Sequence, residues 1–309
     1  MGRDLSIEFT KEICLVTART IASKLWFANN PVLEEKILAH LAKYQKMYGV
    51  EVFAVILMGN HYHLLARFPE GNRYKFTGAF NSIVAKLVAK YEESFIEGKL
   101  WGRRARTQVV PNAEDVEDKF LYVLLNPISS GLVSRLGEFA GYRCFQDVID
   151  GQSRIFKLVN WKEYNNRKRR NSKLRPKDCE EEFRIIYSRL PGYENHTRDE
   201  YKVQLLKKLS ERREKIVKER KALGLGFAGK DILKRIKPGA LPRSTKIAER
   251  YTPRPLVLTL CIETKRVFLE KYFGIVSAFM QASLKFRNGE LNTVFPPGTH
   301  RPRVFVSIT

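Results

Sequence analysis

Apolar and polar positions alternate legibly over the first 150 residues. Residues 12–18 alternate loosely and include Ile13, Val16 and Thr17, which predicts a strand, with residues 24–28 as its continuation. Asn30-Pro31 reads as a helix start, the asparagine capping and the proline in the first turn. Val32, Leu33, Ile37, Leu38, Leu41, Tyr44 and Tyr48 then recur at helical spacing until Gly49. Residues 50–58 form a strand, Gly59-Asn60 suits a tight turn, and residues 61–68 are the antiparallel partner. Within residues 77–95, Phe80, Ile83, Val84, Leu87, Val88 and Tyr91 make a second helical stripe, and residues 100–110 return to strand character. Strand, helix, strand, strand, helix, strand is the order of a ferredoxin-like antiparallel sheet with helices on one face, an α+β fold. Pro111-Asn112 opens a further helix, with Glu114, Asp115 and Glu117 near its positive end. It should finish near Asn126, because Pro127 disfavours helical geometry in the residue before it.

A break over residues 141–153 places a domain boundary near residue 152. Residues 1–152 then form the first domain and 153–309 a basic, mostly helical second one. In the second stretch, residues 200–222 predict a long charged helix carrying Leu205, Leu206, Leu209, Ile216 and Val217. A strand over 255–262, a helix over 265–285 and a Pro-rich loop over 296–302 follow. Charge sharpens the division. Of a net +23, residues 1–150 hold 19 Lys and Arg against 17 Asp and Glu, a net of +2; residues 151–309 hold 37 against 16, a net of +21. Such lopsidedness suits a nucleic-acid-binding appendage on a near-neutral module, since clustered cations are drawn to phosphates through counterion release.

The longest apolar runs, 52–58 and 256–262, are strand length and far short of the roughly 20 residues that span a bilayer. Arg3 and Asp4 are followed by no apolar core with small residues after it, so no secretory signal is expected. A cytoplasmic, nucleoid-associated protein without a membrane partner is expected. Cys14, Cys144, Cys179 and Cys261 form no CxxC pair, which argues against a disulfide framework or a zinc ribbon.

Chemistry concentrates in two places. His61 and His63 lie one residue apart within the strand-like run Met58-Gly59-Asn60-His61-Tyr62-His63-Leu64-Leu65, so both imidazoles point the same way. Such a pair supplies two ligands to a divalent ion and leaves positions for substrate oxygens; two polar residues on a solvent face would carry the same spacing. On the helix after Asn112, at about 100° per residue, Val116, Phe120, Val123 and Leu124 fall in one buried quadrant. Tyr122 and Asn126 lie about 40° apart on nearly the opposite side, with Asp115 and Lys119. Off the packing face, a tyrosine and an amide oxygen one turn away could approach a metal-bound phosphate, or could equally be an exposed Tyr and a helix-ending Asn.

Gly59-Asn60-His61-Tyr62-His63-Leu64-Leu65 resembles the NHxHLL signature of HUH single-tyrosine transposases. The run Tyr122-Val123-Leu124-Leu125-Asn126-Pro127-Ile128-Ser129-Ser130-Gly131-Leu132-Val133 resembles the YIxxNPxxxGLV segment of their REP-associated branch. The resemblance covers residues 10–147, including Leu100-Trp101-Gly102-Arg103 and Gly141-Tyr142-Arg143, and extends to the loop around Phe295-Pro296-Pro297-Gly298. It implies a divalent metal, Mg2+ or Mn2+, held by His61 and His63 with Asn126 as third ligand, and Tyr122 as the catalytic nucleophile. It also implies metal-dependent cutting and rejoining of single-stranded, hairpin-forming DNA through a 5′-phosphotyrosine intermediate. Some relatives complete each site with a neighbour's tyrosine helix, which makes a homodimer one of the expected states.

Around that site, Arg103, Arg104 and Arg106 are expected on the last sheet strand, where they could clamp DNA phosphates or guard a solvated edge. Arg167, Lys168, Arg169, Arg170, Lys173, Arg175 and Lys177 form a stronger patch for backbone phosphates, or else a flexible linker. Gly224-Leu225-Gly226-Phe227-Ala228-Gly229-Lys230-Asp231 nearly spells a phosphate loop, but Asp231 replaces the magnesium-binding Ser or Thr and a charged helix precedes it. It reads better as a helix terminus. His40, His196 and His300 have no partner at metal spacing, and Tyr91 and Tyr142 are the rival tyrosines. A non-catalytic hairpin-binding regulator descended from a transposase is the second hypothesis.

Overall fold

The computed structural model describes residues 5–96, 98–242 and 256–302. A four-stranded antiparallel sheet organises them. Its strands are β1 (Ile13–Arg19), β2 (Glu51–Met58), β3 (His61–Arg67) and β4 (Arg106–Val110), in spatial order β2-β3-β1-β4. Helix α1 (Pro31–Tyr48) links β1 to β2, and α2 (Arg73–Tyr91) links β3 to β4. This is the βαββαβ arrangement that the apolar periodicity predicts.

The ends of α1 follow from its sequence. Asn30 Oδ1 accepts from the Leu33 N–H at 2.8 Å, Pro31 occupies the first turn, and Gly49 at φ 59° ends the helix in a left-handed conformation. The Asn30 amide also donates to the Tyr91 carbonyl at 3.1 Å and to Glu92 Oε1 at 2.7 Å, tying the start of α1 to the end of α2. Both helices cover one face of the sheet, where Tyr62 packs edge-on against Phe80 of α2 with ring centroids 5.3 Å apart. A third helix, α3 (Ala113–Leu124), covers the other face. Helices therefore lie on both faces, not one, because the helix following the βαββαβ unit has only the opposite face left to cover.

Three strand boundaries differ from the sequence expectation. Residues 24–28 do not continue β1: a 3₁₀ turn at Ile21–Ser23, with Ala22 and Ser23 at φ 51° and 56°, swings the chain aside so that Trp26 and Phe27 become buried. Only Arg106–Val110 of the stretch 100–110 is strand. Trp101 bridges Thr20 once, its indole donates to the Asn81 carbonyl at 2.9 Å, and Arg103 and Arg104 are exposed in a bend. Residue 255 of the strand expected over 255–262 lies outside the described residues. Beyond it Val257 makes a single parallel bridge to Val109, and Cys261 soon caps the next helix.

After α3 come α4 (Asn126–Ser129), α5 (Phe145–Asp150), a hairpin of β5 (Arg154–Val159) and β6 (Glu180–Ile185) enclosing α6 (Trp161–Lys168), then α7 (Arg198–Ala222), α8 (Lys230–Lys234) and α9 (Ile262–Arg287). Residues on either side of position 152 share one apolar cluster that runs from Ile7 through Phe156, Ile185 and Leu205 to Tyr272. Tyr187 pairs beside Val52 at the β2 edge, and the Leu258 N–H donates to the Val109 carbonyl at 2.8 Å at the β4 edge. Segments of the second half thus cover exposed strand edges of the first. No helix among the described residues is long and apolar enough to cross a membrane.

Asn30→Ala should cost about 1–2 kcal/mol for the lost cap. Removing the link to Tyr91 and Glu92 as well should place it at the upper end, read as a lowered urea midpoint with unchanged slope; an unchanged midpoint would contradict the double role of Asn30.

Candidate nucleic-acid processing site

Register decides which side chains meet. Thr17 of β1 lies directly opposite His63 of β3 and Arg106 of β4, while Arg19 lies opposite His61. Directly opposed residues share a face. His61, His63, Arg19, Thr17 and Arg106 therefore stand together on the face that α3 covers, and Tyr62 stands on the other.

Both imidazoles are held through Nδ1. His63 Nδ1 is 2.8 Å from Thr17 Oγ1, and His61 Nδ1 is 2.6 Å from Asn60 Oδ1. The Asn60 amide nitrogen donates to the Ser23 carbonyl at 2.9 Å, which turns its oxygen toward His61 and requires a proton on that ring's Nδ1. A neutral imidazole so oriented would coordinate a cation through Nε2. The two rings lie 4.8 Å apart in a T-shaped arrangement. His63 is buried, and the Tyr122 ring meets its edge with centroids 5.3 Å apart.

Tyr122 reaches His63 from α3, whose stripe of Val116, Phe120, Val123 and Leu124 is buried as its spacing predicts. Asn112 starts this helix, its Oδ1 accepting from the Asp115 N–H at 2.8 Å. Tyr122 is 40% exposed, so the residue borders both the histidine and solvent. Asn126 departs from the expectation of an outward position one turn below Tyr122 on the same helix. The helix ends at Leu124, Leu125 sits at ψ 7°, and the chain restarts as α4 with Asn126 first and Pro127 second. Asn126 is buried there, its Oδ1 accepting from Ser130 Oγ at 3.4 Å. Asp115, also expected on the outer flank, is buried.

Among the described residues no three His, Cys, Asp or Glu side chains group to hold a metal. A cation at His61 and His63 would have no third ligand of these types there; Asn126, the third ligand the resemblance implies, is a buried amide whose Oδ1 accepts from Ser130 Oγ. Two imidazoles with one such oxygen leave positions open for phosphate oxygens, so the donor set fits an open site.

Helix α7 contributes residues that the sequence did not single out. A cleft of about 220 Å3 beside Tyr122 is lined by Leu121, Ser129, Arg212, Lys215 and Glu219 among others. Helix α7 is aligned there by acidic groups of α3: Lys208 Nζ lies 2.7 Å from Glu117 and Arg212 lies 3.1 Å from Asp118. These pairs are partly exposed, and solvent-screened pairs contribute about 1 kcal/mol or less each, so they orient the helix more than they stabilise it. Only the α7 charge run itself signalled these residues, and nothing local pointed it at Tyr122. Thr17 was legible only as a strand residue, Asn60 only as a turn residue within the quoted signature, and Arg19 lies just past the strand expected over 12–18.

The other candidates are dispersed. Arg106 is on β4 in the histidine row, while Arg103 and Arg104 precede the strand, just after Gly102, whose N–H donates to the Arg19 carbonyl at 3.0 Å. Arg167 and Lys168 of α6, with Arg169, Arg170, Lys173, Arg175 and Lys177 after it, are exposed within the β5–β6 connection, and none lines the cleft. The glycine-rich stretch donates backbone N–H groups inward: Ala228 to the Gly131 carbonyl and Gly229 to the Leu132 carbonyl, each at 2.9 Å, which is a loop anchor and no phosphate cradle. Tyr142 is buried, donates to Asp147 Oδ2 at 2.9 Å and shares a 2.6 Å hydrogen bond with Tyr187. Burial pushes its hydroxyl far above the usual tyrosine range, which unsuits it for attack.

No family model and no curated protein matches the chain. Among solved structures it is similar to a REP-associated tyrosine transposase bound to a REP hairpin, over 49% of this chain and 88% of that one, at 16% identity and a TM-score of 0.38. It is also similar to a candidate transposase from Deinococcus radiodurans R1, over 38% of this chain and 93% of that one, at 17% identity and a TM-score of 0.28. Scores this low leave function to be reasoned from the residues.

The two tyrosines should separate on stability. Tyr142→Phe strands buried partners and should cost about 1–3 kcal/mol. Tyr122→Phe, at a half-exposed position, should stay within about 0.5 kcal/mol of the parent. Chemical denaturation of both variants decides it, and a Tyr122 variant as destabilised as Tyr142→Phe would make Tyr122 a packing residue.

Proposed function

We propose that the protein cuts and rejoins single-stranded, hairpin-forming DNA with Tyr122 as nucleophile, as a transposase of the HUH single-tyrosine type. What carries this reading is the contact of the Tyr122 ring with His63 at 5.3 Å, joining the two sequence motifs in one chain.

The phenolic oxygen of Tyr122 attacks the scissile phosphorus, and the P–O3′ bond breaks. A 5′-phosphotyrosine forms and the 3′-oxygen leaves as a hydroxyl, which takes up the equivalent of the phenol's proton. A second 3′-hydroxyl attacks the adduct in the reverse sense, so the ester bond is conserved and no nucleoside triphosphate is consumed. When bound by His61, His63 and Asn126, a divalent cation, Mg2+ or Mn2+, supplies Lewis-acid polarisation of the phosphate. Thr17 and Asn60 keep the imidazoles in the required orientation. Arg106 in the histidine row and Lys215 and Arg212 across the cleft offer charge to the strand on either side of Tyr122, with Arg103 and Arg104 nearby. The cations between Arg167 and Lys177 take up DNA phosphates elsewhere on the surface.

Incubated with labelled hairpin oligonucleotide and Mn2+ or Mg2+, the protein should yield an adduct stable on a denaturing gel. Tyr122→Phe should abolish it while DNA affinity changes by less than about 2-fold, as expected for removing one hydroxyl from a half-exposed ring. An undiminished adduct in that variant would reject the assignment; binding without any adduct in the parent would favour the regulator.

Thr17→Val preserves shape but removes the His63 partner, and should weaken Mn2+ binding about 10- to 100-fold by titration calorimetry. Unchanged affinity would mean that His63 is not a ligand.

A further inference from the structure

The connection between β5 and β6 is an ordered projection. The Asn160 N–H donates to the Cys179 carbonyl at 2.8 Å and closes its neck, and Asn160 Oδ1 caps α6 by accepting from the Glu163 N–H at 3.0 Å. Arg167 pairs with Glu163 at 2.9 Å one turn on, and Lys168 Nζ donates to the Leu174 carbonyl at 3.0 Å. Leu174 and Cys179 are buried, yet no residue of α6 is. The helix is braced from below and leaves its outer surface exposed.

What it presents is an aromatic pair in a cationic field. Trp161 opens α6 and is 54% exposed, whereas Trp26 is 6% exposed. Its ring meets Tyr164 edge-on at 5.7 Å, and Lys168 Nζ stands 6.0 Å over the Tyr164 ring. Residues 160–177 contain eight Lys and Arg against one Glu, a net of +7, and all eight cations are exposed. A single exposed aromatic is ordinary on a protein surface. An exposed tryptophan fixed at a helix start among eight cations is the combination that nonspecific single-strand binders use, cations tracking the backbone while an aromatic face receives a base. The α6 sequence Trp161-Lys162-Glu163-Tyr164-Asn165-Asn166-Arg167-Lys168 has no aliphatic residue, so it lacks the apolar face that insertion into a membrane surface needs.

We infer that residues 160–177 form a second binding surface for unpaired nucleic acid, with Trp161 stacking on a base while the surrounding cations hold phosphates. That the polymer is DNA rests on the function proposed above. The surface lies on an element that shares no residue with the Tyr122 cleft, so it would grip unpaired nucleotides outside the reacting phosphate.

The full chain carrying Tyr122→Phe, which forms no adduct, is titrated with an oligo-dT strand, a blunt duplex of equal length, inorganic polyphosphate and vesicles rich in phosphatidylglycerol, following tryptophan emission. Oligo-dT alone should quench strongly. Adding Trp161→Ala should remove that quench and weaken oligo-dT binding by about 10-fold, while the slope of log affinity against log salt is unchanged, since no phosphate contact is lost. Trp161→Phe should retain most of the affinity. Equal quenching by polyphosphate, duplex or vesicles, or undiminished oligo-dT affinity in Trp161→Ala, would overturn the stacking surface. These readouts need no catalysis, so the absence of an adduct in the parent protein would reject the cleavage reaction and leave this inference standing or falling separately.

Discussion

Antiparallel register between β1 and β3 is the constraint on which the site depends. With Thr17 opposite His63 and Arg19 opposite His61, both imidazoles, their hydrogen-bonding partner and the flanking arginines share the face that α3 covers. A slip of one residue would send both histidines into the α1–α2 layer and place Tyr62 and Leu64 under Tyr122. The register is held by burial on both sides. Leu64, Leu65 and Ala66 are fully enclosed, and the turn at Gly59-Asn60 is anchored by Thr20, Ser23 and Phe27. Asn60 is at once a turn residue, an anchor to the 3₁₀ segment and the acceptor that fixes the His61 tautomer. One side chain links loop geometry to ring chemistry.

The second half of the chain is built onto this sheet. Gln45 of α1 exchanges hydrogen bonds with the backbone of Ile186, and Lys202 of α7 pairs with Asp150 at 2.9 Å. Tyr272 of α9 donates to the Leu5 carbonyl at 3.0 Å, and the Glu8 N–H donates to the Gly298 carbonyl at 2.8 Å. Nearby, Glu8 itself is buried with Arg73, its carboxyl raised by desolvation despite that partner. Edges that a free four-stranded sheet would expose are partly covered, and one wall of the tyrosine cleft comes from α7 residues, Arg212 to Glu219, that lie 90 to 97 positions after Tyr122. The charge asymmetry is consequently a property of surfaces distributed around a common core.

The elements with strong local signals were legible from residue order. Helix α1 has its cap, proline and glycine where the periodicity puts them, and the apolar run of β2 reflects a strand buried on both faces. The stripe of α3 was legible because 3.6-residue spacing belongs to the helix itself. The β5–β6 hairpin was not, since its strands are distant in sequence and show only a short alternation at Phe183 and Ile185. The strand proposed near Trp101 failed because that indole anchors sideways to Asn81, a contact no window of neighbouring residues contains.

Residue order by itself determined that two imidazoles share one strand face, that a tyrosine flanks an amphipathic stripe, and that cations gather late in the chain, because these follow from backbone periods of two and 3.6 and from composition. Tertiary structure alone decided that Tyr122 meets His63, that Thr17 and Asn60 hold the imidazoles, that Asn126 turns inward, and that α7 walls the cleft. Each of these is a contact between residues far apart in sequence, set by strand register and helix docking, and local periodicity carries no information about which distant surface a side chain will face.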